Sequence, residues 1–145
     1  MSLFSALSVS ASGMAAQRTR AELLVQNLAN AETTRTAEGG PYRRKDVVFS
    51  TAPQTSEFSA VFQTELNTTA TGVEVSDVVE DTRDPDKRYQ PGHPDADKDG
   101  YVAFPRINPA EDMVDLMGSS RGYAGNIAAM QAVKDMIMRS IDLMK

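Results

Sequence analysis

The sequence predicts an α+β chain, mainly α. Long N- and C-terminal helices pair as an antiparallel, coiled-coil-like hairpin that carries a small β-rich middle domain. Three observations lead there. Apolar and small residues recur at alternating three- and four-residue spacing over residues 1–31, and again over 109–145. The stretch between them, 32–108, holds short runs of β-branched residues separated by Gly, Pro and Asp. At 145 residues, the chain is one domain or one domain with helical extensions.

The first helix is expected from about Ser2 to Ala31. Its stripe reads Leu3, Leu7, Ser10, Met14, Gln17, Ala21, Leu24, Leu28, with Ala6, Ala15, Ala16 and Val25 widening it. No Pro interrupts it, and Gly13 is its only Gly. A helix of about 29 residues is about 43 Å long, which suits a helical assembly better than a compact bundle. The last helix has a marked start at Asn108-Pro109-Ala110-Glu111: Asn108 can cap, Pro109 fits the first turn, and Glu111 stands at the capping-box position. Its stripe reads Met113, Leu116, Ser120, Tyr123, Ile127, Met130, Lys134, Ile137, Ile141, Met144. Gly118, Gly122 and Gly125 each weaken the helix by about 1 kcal/mol relative to Ala, so they mark a bend or admit a close neighbour.

In the middle, Asp46–Phe49, Phe58–Leu66, Val73–Val79 and Tyr101–Phe104 are expected as strands. Residues 82–100 carry three Pro and two Gly and are expected to be irregular.

Composition narrows the function. The net charge of −5 argues against nucleic-acid binding. The acidic excess sits in residues 46–109, with twelve Asp or Glu against five Lys or Arg. With no Cys, there are neither disulfides nor thiolate metal sites. No apolar run approaches the ~18–20 residues of a membrane span, and the N-terminus lacks the basic start of a cleaved signal. Eight Met and no Trp point to packing by small and adaptable groups. Two wide apolar faces exceed what one hairpin can hide, and surplus apolar surface marks an interface with other chains. The candidate subunit-interface residues are Leu3, Leu7, Met14, Leu24, Leu28, Met113, Leu116, Tyr123, Ile127, Met130, Ile137 and Ile141.

No catalytic, cofactor or metal site is expected. Asp95-Ala-Asp-Lys-Asp99-Gly100 imitates the first half of a calcium loop, but Arg106 stands where the closing Glu belongs. The plainer reading is a solvated turn in which Asp side chains accept from nearby backbone N–H groups and Gly100 supplies an unusual backbone angle. His93 is the only histidine, without a second imidazole or a Cys to complete a site. Arg43-Arg44-Lys45 reads either as a solvated loop or as a contact for the acidic middle of a neighbouring copy. Asn27 and Asn30 either cap the first helix or fix the turn toward Thr33.

Two terminal motifs carry a resemblance. Ser12-Gly13-Met14-Ala15-Ala16-Gln17 followed by Asn27-Leu28-Ala29-Asn30-Ala31-Glu32-Thr33 resembles the N-terminal signature of flagellar rod and hook proteins. Ser120-Arg121-Gly122-Tyr123-Ala124-Gly125-Asn126 resembles their terminal-helix motif. In the middle, Gly40-Pro41-Tyr42-Arg43-Arg44-Lys45 and the run with Gly92, His93, Pro94, Gly100 and Tyr101 are similar to proximal rod proteins of the C type. Gly122 and Gly125 stand where that family often has Ala, and Glu32 where many members have Asn. The resemblance implies a structural subunit, not an enzyme, that polymerises through its terminal helices into the tubular rod crossing the periplasm. It implies as partners copies of itself, other rod proteins, the basal adaptor joining the rod to the export gate and membrane ring, and the type III export apparatus. It implies export without a cleaved signal and no membrane insertion. The alternative is a type III-secreted helical-hairpin binder outside the rod.

Overall fold

The computed structural model describes residues 3–53 and 71–143. The expected strand Phe58–Leu66 and the last stripe position, Met144, lie outside the described residues. Helix α1 spans Leu3–Ala29. Among the described residues, four strands follow: β1 (Lys45–Pro53), β2 (Thr71–Glu80), β3 (Asp86–Tyr89) and β4 (Tyr101–Phe104). Helix α2, Pro109–Asp142, closes the chain. The class is α+β, two long helices with small antiparallel sheets between them.

Helix α1 stops two residues earlier than expected, for a local reason. The Asn30 side chain folds back, its Nδ2 donating to the Gln26 carbonyl at 2.9 Å. Its Oδ1 accepts from the Thr33 hydroxyl at 3.2 Å. Asn30 therefore fixes the turn toward Thr33, one of its two expected roles. The loop that follows closes on itself, with the Tyr42 N–H donating to the Thr33 carbonyl at 3.0 Å. Helix α2 starts as its sequence indicates. Asn108 is extended, its side chain accepts from the Ala110 N–H, and Pro109 occupies the first turn.

β1 and β2 pair antiparallel from Lys45↔Glu80 to Pro53↔Thr71, with a register shift between Val48 and Phe49. Pairing with the ten-residue β2 carries β1 well past the expected end at Phe49. β3 pairs antiparallel with β4 from Asp86↔Phe104 to Tyr89↔Tyr101. This corrects the expectation that residues 82–100 lack regular structure. Pro85 precedes the strand and the other Pro and Gly lie at 91–100, in the connection, which leaves Asp86–Tyr89 free to pair. That connection is the solvated turn of the plainer reading. Asp97 Oδ1 accepts from the Asp99 and Tyr101 N–H groups at 2.9 and 2.8 Å. Gly100 has φ +82°, and a Cβ there would lie 2.9 Å from a ring carbon of Tyr89.

The basic run makes its contacts within its own chain, with Arg43 exposed and Arg44 and Lys45 half-buried. Arg43 donates to the Asp81 carbonyl at 2.9 Å. Arg44 Nη2 lies 3.1 Å from Asp112 Oδ1, and its Nε 3.3 Å from Asp46 Oδ2. Lys45 Nζ lies 3.3 Å from Glu80 Oε1. The acidic middle that this run meets belongs to the same subunit.

The hydrophobic core is small: among the described residues, Ala16, Leu24, Val102, Phe104 and Val133 are the buried apolar side chains. Asn27, Asp112 and Ser119 are buried with them. Asn27 neither caps α1 nor serves its turn, the two roles expected of it. Its amide pairs with the backbone of Lys45 as a strand would. Oδ1 accepts from the Lys45 N–H at 2.9 Å, and Nδ2 donates to the Lys45 carbonyl at 2.8 Å. Oδ1 also accepts from the Tyr42 hydroxyl at 3.0 Å.

Replacing Asn27 with Ala strands those groups, and each buried unpaired group costs about 1–3 kcal/mol. In an Asn27→Ala variant, the Lys45 amide exchanges with solvent at least tenfold faster while amides of β3 and β4 keep their rates. Unchanged exchange at Lys45 contradicts the clamp.

Candidate subunit interface

Two stripes run along α2, one residue out of phase. Asp112, Ser119, Asn126 and Val133 repeat every seven positions and, with Gly122 between them, face the rest of the chain. The apolar stripe Met113, Tyr123, Ile127 sits one position on, about 100° around the helix. Those residues are 52%, 40% and 37% exposed. The inward stripe is made of small and polar groups because α1 comes close there. A Cβ on Gly13 would lie 3.0 Å from the Asn126 amide nitrogen, and one on Gly122 would lie 3.3 Å from the Gln17 side chain. Of the three glycines weighed for a bend or a close approach, Gly122 meets its neighbour, whereas Gly118 and Gly125 face open space. Arg20 and Asp115 add an ion pair across the helices at 3.7 Å.

Beyond Met113, the displaced apolar stripe opens onto a groove of about 540 Å³ between the helices. Leu7 and Met14 form its α1 wall, and Tyr123, Ile127, Met130 and Ile137 its α2 wall. Lys134 is the one charged side chain lining it. Six of the twelve candidate interface residues thus share one surface. The others are dispersed. Leu3 and Ile141 are exposed, Leu28 and Leu116 are half-buried, Met113 lies exposed in the first turns of α2, and Leu24 is buried in the chain's own core. Met113 is joined by Val114 and Met117, 62% and 54% exposed, in a second apolar patch. Among the described residues, eighteen large apolar side chains are exposed against five apolar side chains in the core. That ratio is far from a self-sufficient globule.

The motif residues mostly hold the fold. Ser12 Oγ donates to the Val9 carbonyl and accepts from the Val73 N–H at 3.1 Å, joining α1 to β2. Gly13 and Gln17 are the points where α2 approaches, and Asn126 Nδ2 bonds the Gly122 carbonyl at 3.0 Å. His93 Nδ1 accepts from the Asp95 N–H at 3.1 Å, and its ring meets Phe104 edge-on. Tyr101 packs edge-to-face on Tyr89, with ring centroids 5.4 Å apart. Gly92, Pro94 and Arg121 are exposed. Among the described residues, no group of three or more His, Cys, Asp or Glu is placed to hold a metal.

The sequence comparisons concern the whole chain. It is 40% identical to the flagellar basal-body rod protein FlgC of Bacillus subtilis, with both chains covered in full. It is 34% identical to FlgC of Borreliella burgdorferi, over 100% of this chain and 99% of that one. Against FlgC of Salmonella typhimurium, identity is 33% over 99% and 98%. The chain belongs to the FlgC family of flagellar basal-body rod proteins. A family model described as the C-terminal part of the flagellar basal body rod FlgEFG proteins matches residues 98–143, which contain β4, all of α2 and the α2 wall of the groove. In this family member, the motif residues and the exposed stripe divide the work: the first shape the chain, the second leave it open.

Two carboxylates outside the groove are shifted in opposite directions. Asp112, 1% exposed, is raised above the ordinary carboxyl range by burial, with the Arg44 charge opposing. Arg44 is an ion partner by distance only, since neither Asp112 oxygen has an aligned hydrogen bond among the described residues. A raised carboxyl contributes stability in acid that is lost as pH rises through its folded-state value. Sequence reading missed this pair, although the seven-residue series from Asp112 to Val133 signals it. Asp81 is held down to about 2, first by hydrogen bonds from the Arg83 side chain and backbone. Its contribution is present above the ordinary value of 3.8 and lost as pH falls toward about 2. Substituting Arg83→Gln returns the Asp81 carboxyl to the ordinary range, as read by carboxyl carbon shifts. A midpoint still near 2 would show that Arg83 is not the cause.

Proposed function

We propose that the groove and the neighbouring apolar patch are the surfaces through which this chain joins the flagellar rod. Terminal helices of adjacent subunits would cover them. The protein is a structural subunit of the flagellar basal-body rod and not an enzyme. In this reading, α1 and α2 pair as an antiparallel, coiled-coil-like hairpin. Its support is the series Gly13–Asn126, Gln17–Gly122, Arg20–Asp115, whose numbers rise in one helix as they fall in the other. We read residues 1–31 and 109–145 as the two helical arms and residues 32–108 as the loop and small β-rich middle domain, whose β2 is bonded to α1 at Ser12.

The observation that carries the proposal is the outward stripe. Six interface residues picked for their periodicity line one uncovered apolar groove. Burying apolar surface contributes about 25 cal/mol per Å², so a neighbouring helix laid there gains substantially. Met130 and Met138 suit contacts that differ between neighbours. Copies of this chain and other rod proteins are the partners. The basal adaptor and the type III export apparatus are further partners at the base of the rod and along its export route. Among the described residues, no helix is long and apolar enough to cross a membrane. A secreted binder outside the rod is disfavoured by full-length similarity to rod proteins.

Ile127→Asp tests the groove. Ile127 is 37% exposed, so the isolated chain tolerates the change at a cost within about 1 kcal/mol. In the assembled rod, the carboxylate is buried unpaired at about 3–5 kcal/mol per contact. Cells carrying Ile127→Asp should produce normal amounts of the protein, lack it in purified basal bodies, and fail to swim. Normal swimming with the variant incorporated would sink the assignment.

A further inference from the structure

A second site lies away from the groove, where the loop after α1 meets the link between the two sheets. A recess of about 110 Å³ is lined there by Arg43, Arg44, Arg83 and Arg106, with Asp81 as the one carboxylate. Guanidinium groups keep their protons at any physiological pH, so the recess is permanently cationic. Its charges are only partly compensated. Asp81 is taken by Arg83, which grips it through Nε and Nη2 at 2.9 and 2.6 Å. Arg44 turns toward Asp46 and Asp112. Among the described residues, Arg43 donates to a backbone carbonyl, that of Asp81, and no ion pair is formed by it. An adjoining cleft of about 330 Å³ is lined by Arg44, Arg83 and Arg106 together with Asp86 and Glu111.

We propose that this recess binds a carboxylate carried by an acidic peptide segment, with Arg106 and Arg43 as its principal donors. Arginine presents paired N–H groups in a fixed fork that matches a carboxylate, and the Arg83–Asp81 pair already shows that mode in place. The small volume suits a single side-chain carboxylate. A singly charged group also meets less repulsion from Asp81 than a doubly charged phosphate does. Both Arg43 and Arg106 are exposed, so a segment can approach without unfolding the sheets. The site stands independently of the groove, since no residue lines both.

The test uses the full chain with a capped tetra-aspartate peptide as probe, and sodium chloride at matched ionic strength as reference. Inorganic phosphate forms a separate arm. The readouts are arginine side-chain Nε–H resonances and calorimetry. The peptide should shift the Arg106 and Arg43 resonances saturably and bind more tightly than phosphate. Arg106→Gln should weaken it at least tenfold, while Arg121→Gln, an exposed arginine elsewhere, leaves it unchanged. Arg43→Gln gives a second loss should the first variant disturb β4, which backbone shifts reveal. A drift no different from sodium chloride would overturn the proposal. So would tighter binding of phosphate, or binding indifferent to both arginine variants.

Discussion

Much of the architecture hangs on one side-chain amide. Asn27, fully buried near the end of α1, takes both the N–H and the carbonyl of Lys45 and the hydroxyl of Tyr42. A peptide-like group is a natural partner for backbone N–H and carbonyl groups at the start of a strand, here Lys45, which stands opposite Glu80 of β2. By holding Lys45, Asn27 sets where β1 begins. It also places Arg44, the preceding residue, against Asp112 in the first turn of α2. One amide thereby ties α1, the sheet and α2 at a single end of the helix pair. A hydrogen bond contributes only about 1 kcal/mol net, but its loss in a buried setting costs more, so the clamp constrains more than it stabilises.

The consequence appears further along the helices. Fastened at that end, α1 and α2 approach through Gly13, Gln17, Gly122 and Asn126, groups small or polar enough for close contact. The inward seam is then already filled, and among the described residues the apolar stripe a residue away is left open as a groove. Leu7, Met14, Tyr123 and Ile127 face a groove instead of a core. This inverts the usual arrangement of a paired-helix protein, in which the apolar seam closes the pair. Where its two helices meet, the subunit uses small and polar groups and leaves an apolar surface exposed beside them.

Helix extents, the Asn108-Pro109 start and the strand at Tyr101–Phe104 were legible because periodicity and capping are local. The exposed apolar stripe was legible too, because its spacing is read along one helix. What escaped was long-range and polar. Asn27 reads locally as a cap, and only its meeting with Lys45, eighteen positions on, reveals the clamp. Asp112 reads as an ordinary first-turn acid until Arg44 faces it across the fold. The strand Asp86–Tyr89 was hidden by the Pro and Gly that follow it; its pairing with Tyr101–Phe104 depends on the Asp97 turn closing the connection. In each case, the deciding partner lies beyond the window in which composition carries a signal.

The account turns on the outward apolar stripe being covered only upon assembly, and the chain offers a direct way to see it. It contains no cysteine, so a single Ile127→Cys change places one thiol in the groove wall. Its reaction rate with a maleimide reagent should be compared in the isolated protein and in purified hook–basal bodies that have incorporated it. The rate should be fast in the isolated chain and at least tenfold slower in the assembled rod. Equal rates in the two states would contradict the central claim, because the groove would then remain open after assembly.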